Sequence, residues 1–264
     1  METEETIVIQ PPRKKGLKIL VILMAAVIVF FTTMALLSPV MKMKAIRDEF
    51  SFKQDEKAKI DERILSDSLF LKMLKEKGYL QSRISMARTD SVYLSLNLRD
   101  STVTLEISGV AVHTVKMSRI KISRMLGNGD EFLISSMLSS PLTIENDISS
   151  IEKEPLMVSL APRDTSEFQP DIIPDTTDIE PVSYIFEMTH GIRICFYQEE
   201  EEDAFHTFKF DLRDRFRNAF NTIKSAITLK IPEYNPYIKI FIPRADARII
   251  YRAIPRNGQA AVYI

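Results

Sequence analysis

The sequence predicts a mainly β domain with covering helices, carried on an N-terminal transmembrane helix and a helical stalk. Three observations predict it. The run "ILVILMAAVIVFFTTMALL" (19–37) holds only apolar residues and two threonines. A charged, proline-free stretch of helical spacing follows it. From Ser91 onward the period of the apolar residues falls to two.

Composition narrows the function before any motif is read. The 264 residues leave room for one sizeable domain and an attachment. Lys+Arg 35 against Asp+Glu 36 gives a formal charge of -1, a balance that points to no nucleic-acid partner. One cysteine excludes an internal disulfide, and three histidines without a cysteine cluster offer no ligand set of ordinary zinc spacing. No cofactor or metal is expected.

The apolar run opens on Ile19 and closes on Leu37. At about 1.5 Å per residue such a helix reaches roughly 28 Å, close to the hydrocarbon thickness of a bilayer. A buried core helix rarely stays apolar on every face for so long. A cleaved signal peptide is the better rival, but its apolar core is usually about 7–15 residues, and "SPVMKMK" offers no small-x-small cleavage site. The run is therefore read as an uncleaved, single-pass signal anchor whose partner is the lipid bilayer. Arg13, Lys14, Lys15 and Lys18 before it face Lys42, Lys44 and Arg47 after it, which barely favours a cytoplasmic amino terminus. The expected order is a short basic cytoplasmic tail (1–18), the anchor (19–37), a stalk (38–84) and a β-rich extracytoplasmic domain (85–264).

The stalk reads as helix over residues 43–80, ending near Gly78. Ile46, Phe50, Ile60, Ile64, Leu71 and Leu74 fall on a 4-3 spacing, which Lys53, Lys57 and Asp67 interrupt. Two readings remain: a solvated stalk that docks its last turns, "SLFLKMLKEKGYL", on the domain, or a stalk that pairs with a second copy in a homodimer.

Beyond Ser91, Val92, Leu94, Leu96 and Leu98 alternate with polar residues, "RDS" turns, and Val103, Leu105 and Ile107 form a second strand. After "SGV" a third strand runs through Val110 and Val112 toward Ile122, completing a meander. Residues 161–181 carry Pro162, Pro170, Pro174 and Pro181 among Asp, Glu, Ser and Thr, and read as a flexible surface segment.

A second β block starts at "VSYIFEMTHGIRICFYQ" and continues in "AFHTFKFDL". The acidic "EEEED" (199–203) between them reads as a solvated hairpin loop, since it lacks the calcium-loop pattern. Asp211 is the expected N-cap of a helix in which Leu212, Phe216, Ala219, Phe220, Ile223 and Ile227 recur at helical spacing. That stripe is expected to cover the sheet, leaving Arg213, Asp214, Arg215, Arg217, Asn218 and Lys224 in water. Tyr237 to Ile242 alternates as a strand, Pro243 starts a helix with Ile250 and Ile254 inward, Pro255 to Gly258 turns, and "QAAVYI" closes the chain as a strand.

The stretch "IPRADARIIYRAIPRNGQAAVYI" resembles the end of the L,D-transpeptidase catalytic domain, where a Cys-Ile-Arg motif precedes a helix with Asp-Ala and Leu-Tyr, a Pro-Gly turn and a last strand. "VYLSLNLRDSTVTLEISGVAVHTVKMSRIKIS" (92–123) is similar to that family's opening meander. The resemblance implies a transpeptidase-like β-sandwich in the bacterial envelope, where such enzymes form a cysteine acyl-enzyme on peptidoglycan stem peptides through a Ser-His-Gly-Cys motif. Counted back from Asp246 and Ala247, those four positions fall on Pro236, Tyr237, Ile238 and Lys239. None is a thiol, and Tyr237 has neither the pKa nor the tautomers to activate one. The resemblance thus implies the scaffold without its catalytic centre.

"THGIRIC" (189–195) holds the only cysteine, Cys195, and a His-Gly pair at His190, but it lies well before the helix and strand that follow the family's motif. In a regular strand Ile192, Ile194 and Phe196 share one face, and Arg193, Cys195 and Tyr197 the other. His190 has the parity of the isoleucines, away from the thiol. Three functions follow as expectations: a non-catalytic envelope protein that binds a protein partner or peptidoglycan; a divergent cysteine transpeptidase using Cys195; or a structural subunit of a secretion or division assembly.

Overall fold

A single helix, α1 (Lys14–Glu49), carries the whole apolar run and continues through Pro39 into the charged segment behind it. In the computed structural model, which describes residues 14–50, 67–153, 180–200, 204–228 and 230–264, the apolar part of α1 is bare. Ile19, Leu20, Val21, Ile22 and Leu23 are all more than half exposed. A core helix cannot leave such side chains uncovered, and α1 is long and apolar enough to cross a membrane.

The helix changes character at Ser38. Ser38 is buried and its Oγ donates to the Pro232 carbonyl at 2.6 Å, Lys42 Nζ lies 3.5 Å from the Glu233 carboxylate, and Ile46 joins the main core. The second helix, α2 (Ser68–Ala87), starts where the Asp67 side chain accepts the Leu69 N–H at 2.9 Å. It buries Gly78, Ser82 and Met86. Gly78 lets the two helices approach closely: a Cβ would lie 3.2 Å from the Ser135 carbonyl of α4 (Glu131–Leu138). Both described ends of the expected stalk therefore pack on the domain. The stretch between them (51–66, with Lys53, Lys57, Ile60 and Ile64), the tail (1–13), most of the proline-rich segment (154–179) and residues 201–203 of the acidic run lie outside the described residues.

Nine strands form one mixed sheet: β1 (Val92–Asn97), β2 (Thr102–Ile107), β3 (Val110–Lys116), β4 (Arg119–Ile122), β5 (Leu142–Ser149), β6 (Ser183–Met188), β7 (Arg193–Gln198), β8 (Tyr237–Ile242) and β9 (Gln259–Tyr263). Their order is β3-β2-β1-β9-β5-β6-β7-β8-β4, parallel only at β1/β9 and β7/β8. Laid flat, the two edges would stand about 38 Å apart at the usual strand spacing. Yet β3 and β4 are joined only by Met117 and Ser118, which reach about 7 Å. The sheet must therefore fold over on itself. Met117 N–H donates to Ser101 O at 2.8 Å and Ser118 N–H to Phe241 O at 2.9 Å, so consecutive residues bond opposite edges. The expected third strand running unbroken to Ile122 is corrected here: buried Met117 marks a corner, and the chain changes layers. On the other side β5 turns the corner at its irregularity between Ile144 and Asn146, pairing with β9 before it and β6 after it.

Inside the fold, Leu94, Leu96, Val103, Ile194, Phe196, Ile238, Ile240 and Ile242 form the core. Helix α6 (Arg244–Ala253) closes it with Ala247 and Ile250, and Ile254 follows at its C-cap. A short helix, α3 (Arg124–Asn128), adds Met125 and Leu126. With 36 residues in α1, 20 in α2 and 24 in α5 (Ala204–Ile227), helix outweighs strand, so the chain is mixed α and β around a β core.

Two expectations fail at α5. "AFHTFKFDL" is its first turns, not a strand: Phe208, Phe210 and Leu212 fit an alternation, but Phe205, Phe208 and Leu212 fall at helical three- and four-residue spacing and continue the stripe. Asp211 consequently lies inside the helix rather than at its cap. The stripe also faces the wrong way: Phe205, Phe208, Leu212, Phe216, Phe220, Ile223 and Ile227 are exposed, and the polar face packs on the sheet. The reason lies in the strands beneath, which carry charges that need partners.

Candidate functional site

Strand β8 alternates as its sequence requires. Ile238, Ile240 and Ile242 are fully buried in the core, and Tyr237, Lys239 and Phe241 point to the opposite side. Its parallel register with β7 sets Tyr237 beside Arg193, Lys239 beside Cys195 and Phe241 beside Tyr197. The four positions at which the expected resemblance would put a Ser-His-Gly-Cys motif are thereby placed. Pro236 accepts the Arg193 N–H at 2.8 Å, Tyr237 accepts the Ser123 N–H at 2.9 Å, Ile238 is core, and Lys239 reaches out beneath α5.

Under α5 the charges form two linked sets. Asp211 receives Lys239 Nζ, the Tyr197 hydroxyl at 2.9 Å and Arg215 at 2.8 Å. Asp214 accepts two bonds from Arg193, at 2.6 and 3.0 Å, and further bonds from Arg217 and Asn218. Glu187 joins them through Arg217 at 3.3 Å and Asn146 at 2.8 Å. The Arg193 side chain is only 6% exposed and that of Asp214 only 11%; their two bonds are the shortest contacts of Asp214, and Glu187 lies 3.5 Å from Arg193 as a second counter-charge. Burial acts to lower the Arg193 guanidinium pKa, the bonds from Asp214 raise it, and the balance is upward. Burial pushes the Asp211 carboxyl up, but hydrogen bonds from Lys239 and Tyr197 outweigh it and hold it below the usual carboxylate range.

Cys195 sits in a small apolar cluster with Ile185 and Tyr197, capped by Phe210 of α5. Burial pushes its thiol up to about 12, against the pull of Arg193 and Lys239. Such a sulfur stays protonated at neutral pH and is a poor nucleophile. Among the described residues no imidazole hydrogen-bonds it. His190 lies in the turn Thr189–Gly191 with φ 60°, its Nδ1 3.1 Å from the Glu49 carboxylate and its ring against Phe50. The strand parity assigned to it does not apply, because the strand starts only at Arg193. Gly191, also at positive φ, leaves room there for Lys42. The Thr-His-Gly turn is thus where the end of α1 docks. His113 Nε2 lies 2.9 Å from Asp246 at the start of α6, and His206 is exposed on α5. Among the described residues no three His, Cys, Asp or Glu side chains converge as metal ligands.

One flank of α5 opens on a groove of about 540 Å³ along the end of β5. His206, Lys209, Arg213 and Arg217 border it, opposite Ile148, Ser149 and Ser150. A second groove, about 490 Å³, runs between α2 and α4 and is mainly apolar, with Phe70, Met73, Leu74 and Phe132 on its walls. Sequence reasoning missed the pairing of Arg193 and Lys239 with Asp214 and Asp211. The signal was available: a charge inside an otherwise apolar strand needs a counter-charge, and α5 supplies the nearby acids at one-turn spacing. Compared with protein-family models, with curated proteins and with solved structures, the chain matches none.

Proposed function

We propose that this protein is a membrane-anchored subunit of the bacterial envelope whose transpeptidase-like domain binds and does not catalyse. In this reading α1 spans the cytoplasmic membrane with its amino terminus inside, and the sheet and helices from Ser38 onward stand on the far side. The observation that carries the reading is Lys239. It stands where the resemblance to L,D-transpeptidases would put the nucleophile, and it is ion-paired to Asp211 and roofed by α5. A lysine amine tied to a carboxylate lacks the leaving-group chemistry of a thiolate.

What remains is a surface for binding. Peptidoglycan stem peptides carry carboxylates, and the groove lined by His206, Lys209, Arg213 and Arg217 offers them donors and positive charge. The apolar groove between α2 and α4 suits a protein partner instead. The divergent-enzyme reading would need Cys195 as a thiolate, which its burial opposes. The test is co-sedimentation of the full chain, in mild detergent, with purified peptidoglycan sacculi. Pelleting that falls several-fold in Lys209→Glu/Arg213→Glu supports the basic groove as the peptidoglycan site. Absence of pelleting in the parent removes peptidoglycan as the ligand and leaves the protein partner.

A further inference from the structure

Helix α5 turns its polar face to the protein and its apolar face outward. Thr207, Phe210, Asp211, Asp214, Asn218, Thr222 and Ser225 are its half-buried positions, and they lie along one face of the helix toward the sheet. Opposite them stand Phe205, Phe208, Phe216, Phe220, Ile223 and Ile227, of which Phe205 is 76% and Ile227 74% exposed. Such a continuous stripe is not ordinary surface.

The charges beside the stripe limit what covers it. Asp211 and Asp214 are the acids of α5, and both are turned under the helix and paired. Arg215 and Arg217 share those pairs, whereas Lys209, Arg213 and Lys224 have no ion-pair partner among the described residues. A second copy laid face to face would bring like charges together. An anionic surface would meet them, and an apolar stripe bordered by Lys and Arg is the composition of a helix lying in a lipid headgroup layer.

The structure also places such a surface nearby. Ser38 directly follows the apolar run of α1 and bonds Pro232, and Lys42 pairs with Glu233. Four residues separate Ile227 from Pro232, so the end of α5 lies within about 18 Å of Pro232, which bonds Ser38 at the end of the apolar run. The acidic run 199–203 precedes the other end of the helix. Charge and distance therefore both favour the C-terminal turns as the part that meets lipid.

We propose that α5 is an interfacial helix: Phe216, Phe220, Ile223 and Ile227 rest in the anionic headgroup layer of the bilayer that α1 crosses, with Lys224 on lipid phosphates. The proposal rests on α1 being a membrane span. It fixes the domain against the membrane at two places, through α1 and through α5.

The test uses the full chain in lipid nanodiscs, with an environment-sensitive fluorophore on a single introduced cysteine at Val27, Phe205 or Phe220. The parent, with its buried Cys195, is the unlabelled control. Discs of phosphatidylcholine are compared with discs containing about a third phosphatidylglycerol. The expected result is a several-fold loss of iodide quenching at Phe220 in the anionic discs, matched by quenching from lipid-borne nitroxide, with a smaller change at Phe205. Lys224→Glu is expected to reverse part of that protection. Iodide quenching at Phe220 that is equal in both discs overturns the proposal. So does shielding without nitroxide quenching, which would mean that a protein or second copy covers the stripe. The Val27 label separates the two failures: if nitroxide does not quench it, the span is wrong, and if it does while Phe220 stays in water, only the role of α5 is wrong.

Discussion

Lys239 and Cys195 stand side by side in direct register on the parallel strands β8 and β7, on the sheet face that α5 covers. One stands where the resemblance to L,D-transpeptidases would put a nucleophile; the other is the only cysteine in the chain. Neither is placed to react: the lysine is paired to Asp211, and the thiol is 2% exposed. Their neighbourhood is built to satisfy charge beneath a helix.

The thiol should be silent in the folded protein. Alkylation of Cys195 by iodoacetamide at neutral pH is expected to run more than about tenfold slower than in urea-unfolded chain, because burial raises its pKa well above the usual value near 8.5. The sign for stability follows. A thiol with a raised folded-state pKa contributes fully below about pH 8.5, and its contribution is lost as pH rises toward about 12. Cys195→Ser is expected to flatten that alkaline limb, read from unfolding curves on both sides of pH 8.5. Fast alkylation of the native chain would contradict the buried placement.

Arg193 and Asp214 should behave as one unit. Removing one partner, as in Asp214→Leu, leaves a buried charge and is expected to cost about 3–5 kcal/mol. Replacing both, Arg193→Met with Asp214→Leu, should recover most of that loss. Urea midpoints of the two singles and the double in detergent micelles measure the coupling, and simple additivity would show that the pair is not compensated as described.

Asp211 sets the acid limb. Its carboxyl is held below the ordinary range, so the stability it contributes is complete above about pH 4 and disappears as pH falls through its lowered folded-state value. In Asp211→Asn this limb should vanish while stability at neutral pH drops, because Lys239 loses its counter-charge. In thermal melts the gap between the variant and the parent is expected to narrow as pH falls from neutral into the acid range.

Much of this fold was legible. The bare apolar run, the docking of α2, the alternation of β8 and the inward Ile250 and Ile254 all follow from period and capping, which are local properties. The turn of the chain at Met117 was not, because Val110 to Ile122 keeps an apolar content that a single strand also explains. Nor was the orientation of α5. A helical stripe tells which face is apolar, but which face is buried depends on what lies across from it. Here Arg193 and Lys239 on the strands required Asp211 and Asp214, and the phenylalanines turned outward. Of the candidate site, the sequence located Lys239 and Cys195 but not their shared face, which needs the parallel pairing of two strands about 40 residues apart.

Placement in the membrane is checked separately. A reporter active only in the cytoplasm, fused after Ile264, is expected to stay silent, while one active only outside should report. The opposite pattern would reverse the orientation of α1 and leave the packing of the domain untouched.

The most direct test of the central claim is product analysis. The full chain is incubated with peptidoglycan stem peptides and the products are read by mass spectrometry, with and without a thiol reagent. The account predicts no cross-linked or trimmed product in either case, and the same result for Cys195→Ser and Lys239→Met. Product that forms with the parent chain and is abolished by the thiol reagent or by Cys195→Ser would contradict it, and would make the buried strand an active site.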